Sequence, residues 1–257
     1  MTLLFDMHCH LDFASNAKSI AAELENISLT ALCATVVPSS YVAAVEEFKP
    51  WRNIFVALGM HPWWIANERI SKVDLTRFEN LLPTTPFIGE IGLDFYGKRK
   101  ATKIQQQKIL DQLLGLLSKT SDRKIIFLHS VHSNSELLSA LESHKTPEQH
   151  ICVFHWFQGT PEDFARALEK DCWFSVGKRM LATESGRKFA KAVPQMRLLV
   201  ETDSPPHEGM EWSTKLWTDE LNDTIATLAK VREQNIDELQ TSLRKNSELL
   251  LSAQQPS

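Results

Sequence analysis

Short apolar runs rich in β-branched residues recur along this chain of 257 residues, and most are followed by a stretch with apolar positions at helical spacing. The runs predict strands at about 3–8 (LLFDMH), 31–37 (ALCATVV), 54–60 (IFVALGM), 87–92 (FIGEIG), 124–129 (KIIFLH), 150–155 (HICVFH), 172–177 (CWFSVG) and 197–203 (RLLVETD). Between them, SNAKSIAAELENI predicts a helix capped by Ser15. ATKIQQQKILDQLLGLLSK repeats apolar residues at i, i+3, i+4 and i+7, and TPEDFARALEK offers Thr160-Pro161 as cap and first-turn proline. Two further helical segments follow the last strand, at about 213–232 and 236–252.

Alternating strands and helices imply parallel strands joined by crossover helices. Near-continuous apolar strands fit a parallel sheet covered on both faces. Eight such units in about 250 residues predict an α/β fold of the (β/α)8 TIM-barrel class with an extra C-terminal helix. An open doubly wound sheet is the alternative, but no glycine-rich phosphate loop follows the first strand. With no low-complexity tract and no Pro/Gly-rich linker, residues 1–257 read as a single domain.

Composition narrows the function classes. The net charge of −4 gives no basic field for a nucleic acid or membrane surface, although a bound metal ion can supply positive charge locally. Cys9, Cys33, Cys152 and Cys172 are widely spaced, form no CxxC pair, and read as reduced buried thiols. No signal-peptide pattern opens the chain, and no apolar run approaches the roughly 20 residues that span a bilayer. A cytoplasmic protein is the expectation.

Active sites of such barrels form at the C-terminal ends of the strands, and unusual polar residues collect there. His8 and His10 end the first strand, His61 follows the third, and Glu90 lies within the fourth. His129, His155 and Asp203 mark the ends of the fifth, sixth and eighth. Strand alternation points His8 and His10 the same way and Cys9 the other, leaving two candidate ligands and a packing thiol. Taken singly, His129 or His155 is more often a hydrogen-bonded core histidine. A glutamate inside FIGEIGLD is harder to dismiss, because an unpaired buried carboxylate costs several kcal/mol. Imidazoles with carboxylates suit Zn, Mn, Fe or Ni and need no thiolate. The set suits two metals sharing a carboxylate, or one metal and a general base.

The stretches FDMHCHLDF, ALGMHPWW, IGEIGLDFYG, IIFLHS, CVFHWFQGT and LLVETDSPP, in this order, resemble the TatD-related family of metal-dependent hydrolases among the amidohydrolase-like barrels. The resemblance implies two divalent metal ions (Zn, Mg, Mn or similar). His8, His10 and Asp203 would hold one, and His129 and His155 the other, with Glu90 bridging or between them. It implies that His61 contacts the substrate phosphate. Members are described as deoxyribonucleases, so DNA or another phosphodiester is the implied partner. Asp203 is the candidate proton acceptor for an attacking water, which gives Asp203, Glu90 and His61 as the expected catalytic residues. A monomer is expected.

Around this set, Asp94 either orients a metal-bound histidine or caps the next segment. Lys98, Arg99, Lys100 and Lys103, with Lys178 and Arg179, either steer a phosphate backbone or form a solvated rim. Trp63, Trp64, Trp156 and Phe157 either stack bases or plug the barrel mouth. The chain departs from the family where relatives carry an arginine after the strand-5 histidine; here it reads His129-Ser130-Val131-His132. It departs again after strand 8, at Pro205-Pro206-His207-Glu208-Gly209-Met210, and His132 and His207 are candidate substitutes for the missing contacts. The competing functions are a barrel amidohydrolase or lactonase acting on a carbonyl, and an inactive binding relative. No lysine ends the fourth strand to serve as a carboxylated bridge, and Glu90 stands there instead.

Overall fold

The computed structural model describes residues 3–252. Its strands are β1 (Leu4–Cys9), β2 (Leu29–Ala34), β3 (Ile54–Met60), β4 (Phe87–Asp94), β5 (Ile125–Val131), β6 (Ile151–His155), β7 (Trp173–Val176) and β8 (Leu198–Val200). They follow one another in chain order in an eight-stranded sheet and alternate with helices, the (β/α)8 TIM-barrel class. Every predicted strand is present. The helices Thr214–Arg232 and Ile236–Ser252 follow β8. No helix among the described residues is long and apolar enough to cross a membrane.

Contacts divide the chain into two compact units. The first comprises Met1–Cys33, Ala43–Val56 and Phe174–Ser257. Here β1 pairs in parallel with β2, and β7 with β8. Trp217, Leu221 and Leu228 of the first C-terminal helix, and Leu239 and Leu250 of the second, are buried. Each such side chain contributes about 1.5–3 kcal/mol of apolar burial. Cys9 is fully buried, as expected of a packing thiol, with its Sγ 3.4 Å from the Leu32 carbonyl oxygen of β2.

The second unit comprises Ala34–Val42 and Ala57–Trp173. Within it β4 pairs in parallel with β3 and β5, and β5 with β6. Every residue of β4 and of β5 is buried, as expected for strands covered on both faces. Thr160 caps its helix as expected, and Asp163 completes a capping box: the Thr160 hydroxyl accepts from the Asp163 amide, and the Asp163 carboxylate accepts in return.

Several boundaries shift by one to three residues from the sequence expectation, and two of the shifts have a definite local reason. The eighth strand ends at Val200 rather than 203. The Thr202 amide donates to the Asp6 carboxylate at 3.1 Å, and Asp203 turns into the left-handed region with φ 58°. The first helix starts at Ala17, not after Ser15. The Ser15 amide is taken by the Met210 carbonyl (2.8 Å), and the Asn16 side chain bonds the Trp212 backbone at both its oxygen and its nitrogen.

Candidate metal centre

In the first unit, the buried Asp6 carboxylate fixes the local geometry. Its Oδ1 accepts from the backbone amides of His8 and Thr202, each at 3.1 Å. Its Oδ2 accepts from the Trp217 indole at 2.6 Å and from the Thr202 hydroxyl. Burial pushes the Asp6 carboxyl up to about 7, against the downward pull of these four donors. Main-chain bonds then join the end of β1 to the segment after β8: the Asp203 amide donates to the His8 carbonyl, and the His10 amide to that of Ser204, both at 2.9 Å.

These bonds bring His8, His10 and Asp203 together. Asp203 Oδ1 lies 3.3 Å from His10 Nε2 and 3.8 Å from His8 Nε2, while Arg179 donates to Oδ2 at 2.7 Å. The His10 ring stacks on Phe13 with centroids 4.7 Å apart. One ligand atom from each of His8, His10 and Asp203 lies within 4.8 Å of the others, so the three could hold a metal ion.

In the second unit the focus is Glu90, 1% exposed. His155 Nε2 lies 3.0 Å from its Oε1, His61 Nε2 lies 3.3 Å from its Oε2, and His129 Nδ1 also contacts Oε1. Two glycines let the backbone close around this group. A Cβ at Gly59 would sit 1.6 Å from the Thr35 carbonyl oxygen, next to the Glu90 amide. A Cβ at Gly92, where φ is +148°, would sit 2.0 Å from that of His129. His61, Glu90 and His129 also meet the distance condition for a metal group.

Hydrogen bonding separates the roles of these imidazoles. His61 caps the helix Pro62–Ala66, and its Nδ1 accepts from the Trp63 amide at 3.0 Å. The proton of a neutral His61 therefore sits on Nε2, which makes this nitrogen a donor rather than a lone-pair ligand. Asp94 holds His129 from the other side, its Oδ2 lying 3.2 Å from His129 Nε2, which leaves Nδ1 turned to Glu90. The same oxygen takes the Trp63 indole proton and lies 3.0 Å from Arg99 Nε, and Oδ1 accepts from the Tyr96 amide at 2.8 Å. The Arg99 guanidinium lies 4.4 Å above the Trp63 ring. Burial opposes the Asp94 charge, but His129, Arg99 and Trp63 outweigh it and hold the carboxyl well below the usual range. Burial likewise works against a charged His129, and the Glu90 and Asp94 carboxylates outweigh it, raising its pKa.

Asp94→Asn keeps the side-chain volume and removes the charge that orients His129 and pairs with Arg99. The variant is expected to lose about 10- to 100-fold in metal affinity or turnover, and about 3 kcal/mol of stability from the broken buried pair. Because the native Asp94 pKa is depressed, its stabilisation is full above the unfolded value of about 4 and is lost as pH falls further. Urea unfolding of both proteins should therefore show a stability gap that narrows below about pH 4, and narrows again as pH rises through the raised pKa of His129, where the imidazolium paired with Asp94 loses its proton.

Of the residues flagged in the sequence, His8, His10 and Asp203 meet in one unit, and His61, Glu90, His129 and His155 in the other. Asp94 contacts a candidate ligand rather than serving only as a cap. Trp64 and Phe157 are buried, and Phe157 packs edge-on against Phe154, so both are core residues rather than base platforms. His207 is exposed. Reading the sequence misses Asp6 as an organising carboxylate and leaves Arg179 as one of several rim cations, whereas it pairs directly with Asp203. The available signal for Asp6 was an acid in the middle of an apolar strand, as for Glu90.

The donor set fits a divalent ion. Buried imidazole nitrogens and carboxylate oxygens converge in each unit, with histidines oriented by further hydrogen bonds. A barrel carrying such groups is in the class of metal-dependent hydrolases, and the comparisons agree. The sequence model of the family described as TatD related DNase matches residues 5–252, and the chain belongs to that family. It is 28% identical over 262 residues to the metal-dependent hydrolase YjjV of Escherichia coli K12, covering 96% of this chain and 97% of the relative. It is 25% identical over 218 residues to the human deoxyribonuclease TATDN3, covering 79% and 78% of the two chains. The crystal structure of E. coli YjjV superposes with a TM-score of 0.81 at 24% identity, covering 96% of this chain and 97% of that one.

Proposed function

We propose that this metal-dependent hydrolase is a phosphodiesterase acting on DNA, with His8, His10 and Asp203 holding one divalent ion and Glu90, His129 and His155 another. The observation that carries the reading is the buried Glu90 carboxylate ringed by His61, His129 and His155. The human relative is a deoxyribonuclease, which supports DNA as substrate. Ions held by these groups would supply Lewis-acid chemistry, polarising a phosphoryl oxygen and lowering the pKa of an attacking water.

The chain's own residues have distinct tasks in this scheme. An Asp203 carboxylate oxygen accepts the proton of the attacking water, and the Arg179 guanidinium beside it supplies a counter-charge. His61 donates its Nε2 proton to a phosphoryl oxygen, the tautomer being set by the Trp63 amide. Asp94 keeps the His129 ring from rotating. The four cysteines, none in a disulfide, fit a reducing compartment such as the cytoplasm.

The test is metal removal and replacement. Protein stripped with a chelator should lose all hydrolysis of single-stranded and duplex DNA, and should regain it with Mg, Mn, Zn or Co, with bound metal counted by mass spectrometry. Turnover of a lactone panel without nuclease activity would replace the proposal by the carbonyl-hydrolase alternative. Bound metal with no turnover of any substrate would make the chain a binding relative.

A further inference from the structure

Past the C-terminal ends of β4 and β5, the second unit holds a cavity of about 440 Å³ lined by Phe95, Tyr96, Lys100, Lys103, His132 and Glu136. Its volume is within the roughly 300–1,000 Å³ of small-molecule sites. Nothing in the candidate metal centre uses it. From its residues we propose that this cavity is a nucleotide subsite, binding one base of a single-stranded nucleic acid on Tyr96 and His132 and the adjoining phosphate on Lys100. The proposal deepens the phosphodiesterase reading and rests on it.

Three observations carry it. Tyr96 is 59% exposed, and its ring stacks on the His132 ring with centroids 5.5 Å apart and planes 17° from parallel. Two aligned flat rings at the wall of an open cavity form a platform for a base, and stacking of this kind is tolerant of base identity. His132 is held there by a backbone that non-glycine residues disfavour, with φ 53°. Exposed side chains in such conformations occur where the surroundings impose them, frequently at functional sites.

The charges around the platform are sorted. Arg99 is engaged by Asp94 and stacked on Trp63, and Lys103 pairs with Glu136 while its ammonium lies 4.8 Å from the centre of the Phe95 ring. Lys100 is exposed at the cavity lining and supplies the cation for a phosphate. The Glu136 carboxylate, on the same wall, can accept from the exocyclic amine of a base. The basic loop thus divides between internal structure (Arg99, Lys103) and a ligand-facing cation (Lys100).

The test uses the full chain with Mg²⁺ and 5′-fluorescein-labelled single-stranded 12-mers, deoxy and ribo, with phosphorothioate linkages that resist cleavage during an anisotropy titration. Tyr96→Ala should weaken binding about tenfold, and Tyr96→Phe should restore it to within about twofold of the original. His132→Gly relieves the left-handed backbone, so it should keep or raise the Tm while losing binding to a similar extent. Lys100→Gln should lower the slope of log K against log salt by about 0.7, the value for one phosphate on a single strand. The tighter of the two polymers identifies the sugar the site accepts.

Unchanged affinity of Tyr96→Ala and His132→Gly would overturn the subsite. So would a wild-type chain that binds neither polymer. Hydrolysis of bis(p-nitrophenyl) phosphate by the wild type then separates the two failures: turnover leaves the phosphodiesterase reading standing without the subsite, and none removes both. Binding that the variants weaken, in a protein that hydrolyses no diester, supports the subsite and removes the phosphodiesterase reading.

Discussion

Replacing Glu90 by glutamine is expected to lower kcat/KM on a phosphodiester by about 1,000-fold, on the order of 4 kcal/mol of transition-state stabilisation. The substitution keeps the volume of a side chain that is 1% exposed, so the strands around it keep their packing. What it removes is the negative charge among His61, His129 and His155. The new amide also presents N–H donors, and one set toward His61 Nε2 would meet another donor, since that nitrogen already carries a proton. Bound metal, measured by mass spectrometry, should fall in parallel, while circular dichroism and the thermal melt report a folded chain. Activity within tenfold of the wild type would refute the assignment of Glu90. Loss of activity with undiminished metal content would move it from ligand to a purely catalytic role.

Asp203→Asn should be nearly as severe, with kcat reduced about 100- to 10,000-fold, the range expected of a general base. The amide retains one oxygen for His10 but carries no charge for Arg179 and accepts no proton from water. The informative measurement is the pH–rate profile. If Asp203 takes the proton, the wild type should show an acidic limb that the residual activity of the variant lacks. A profile of unchanged shape with reduced amplitude would make Asp203 a ligand only. Because Asp203 is backbone-bonded to His8 in the first unit and Glu90 belongs to the second, metal counts of the two variants also test whether each unit holds its own ion.

The strands and the residues of the candidate site were legible because both signals are local. An apolar β-branched run predicts its own strand, and an imidazole or carboxylate at its end stands out against apolar neighbours. Glu90 and His129 are visible in FIGEIGLD and IIFLH for this reason. Other features depend on partners far along the chain. Asp6 meets Trp217 at a separation of 211 residues, and Arg179 meets Asp203 across 24, with no periodicity connecting them. The early end of β8 has the same origin, since Thr202 leaves the ladder to bond Asp6. Ser15 is a good cap by type, yet the Trp212 segment engages Asn16 and shifts the helix start. The role of His61 needed the position of the Trp63 amide, which no residue pattern encodes.

The close backbone approach at Gly59 and Gly92 has a bearing on how this protein can be diversified. A side chain at either position would collide with a carbonyl oxygen of the neighbouring strand, at Thr35 or His129. In a saturation library both codons should collapse to glycine under any selection for folded protein, whatever the substrate. Positions 96 and 207 lie exposed on loops and position 100 on the short helix Gly97–Thr102, and these should accept most replacements. New specificity in this scaffold would therefore arise by changing the loops around a floor that is held constant.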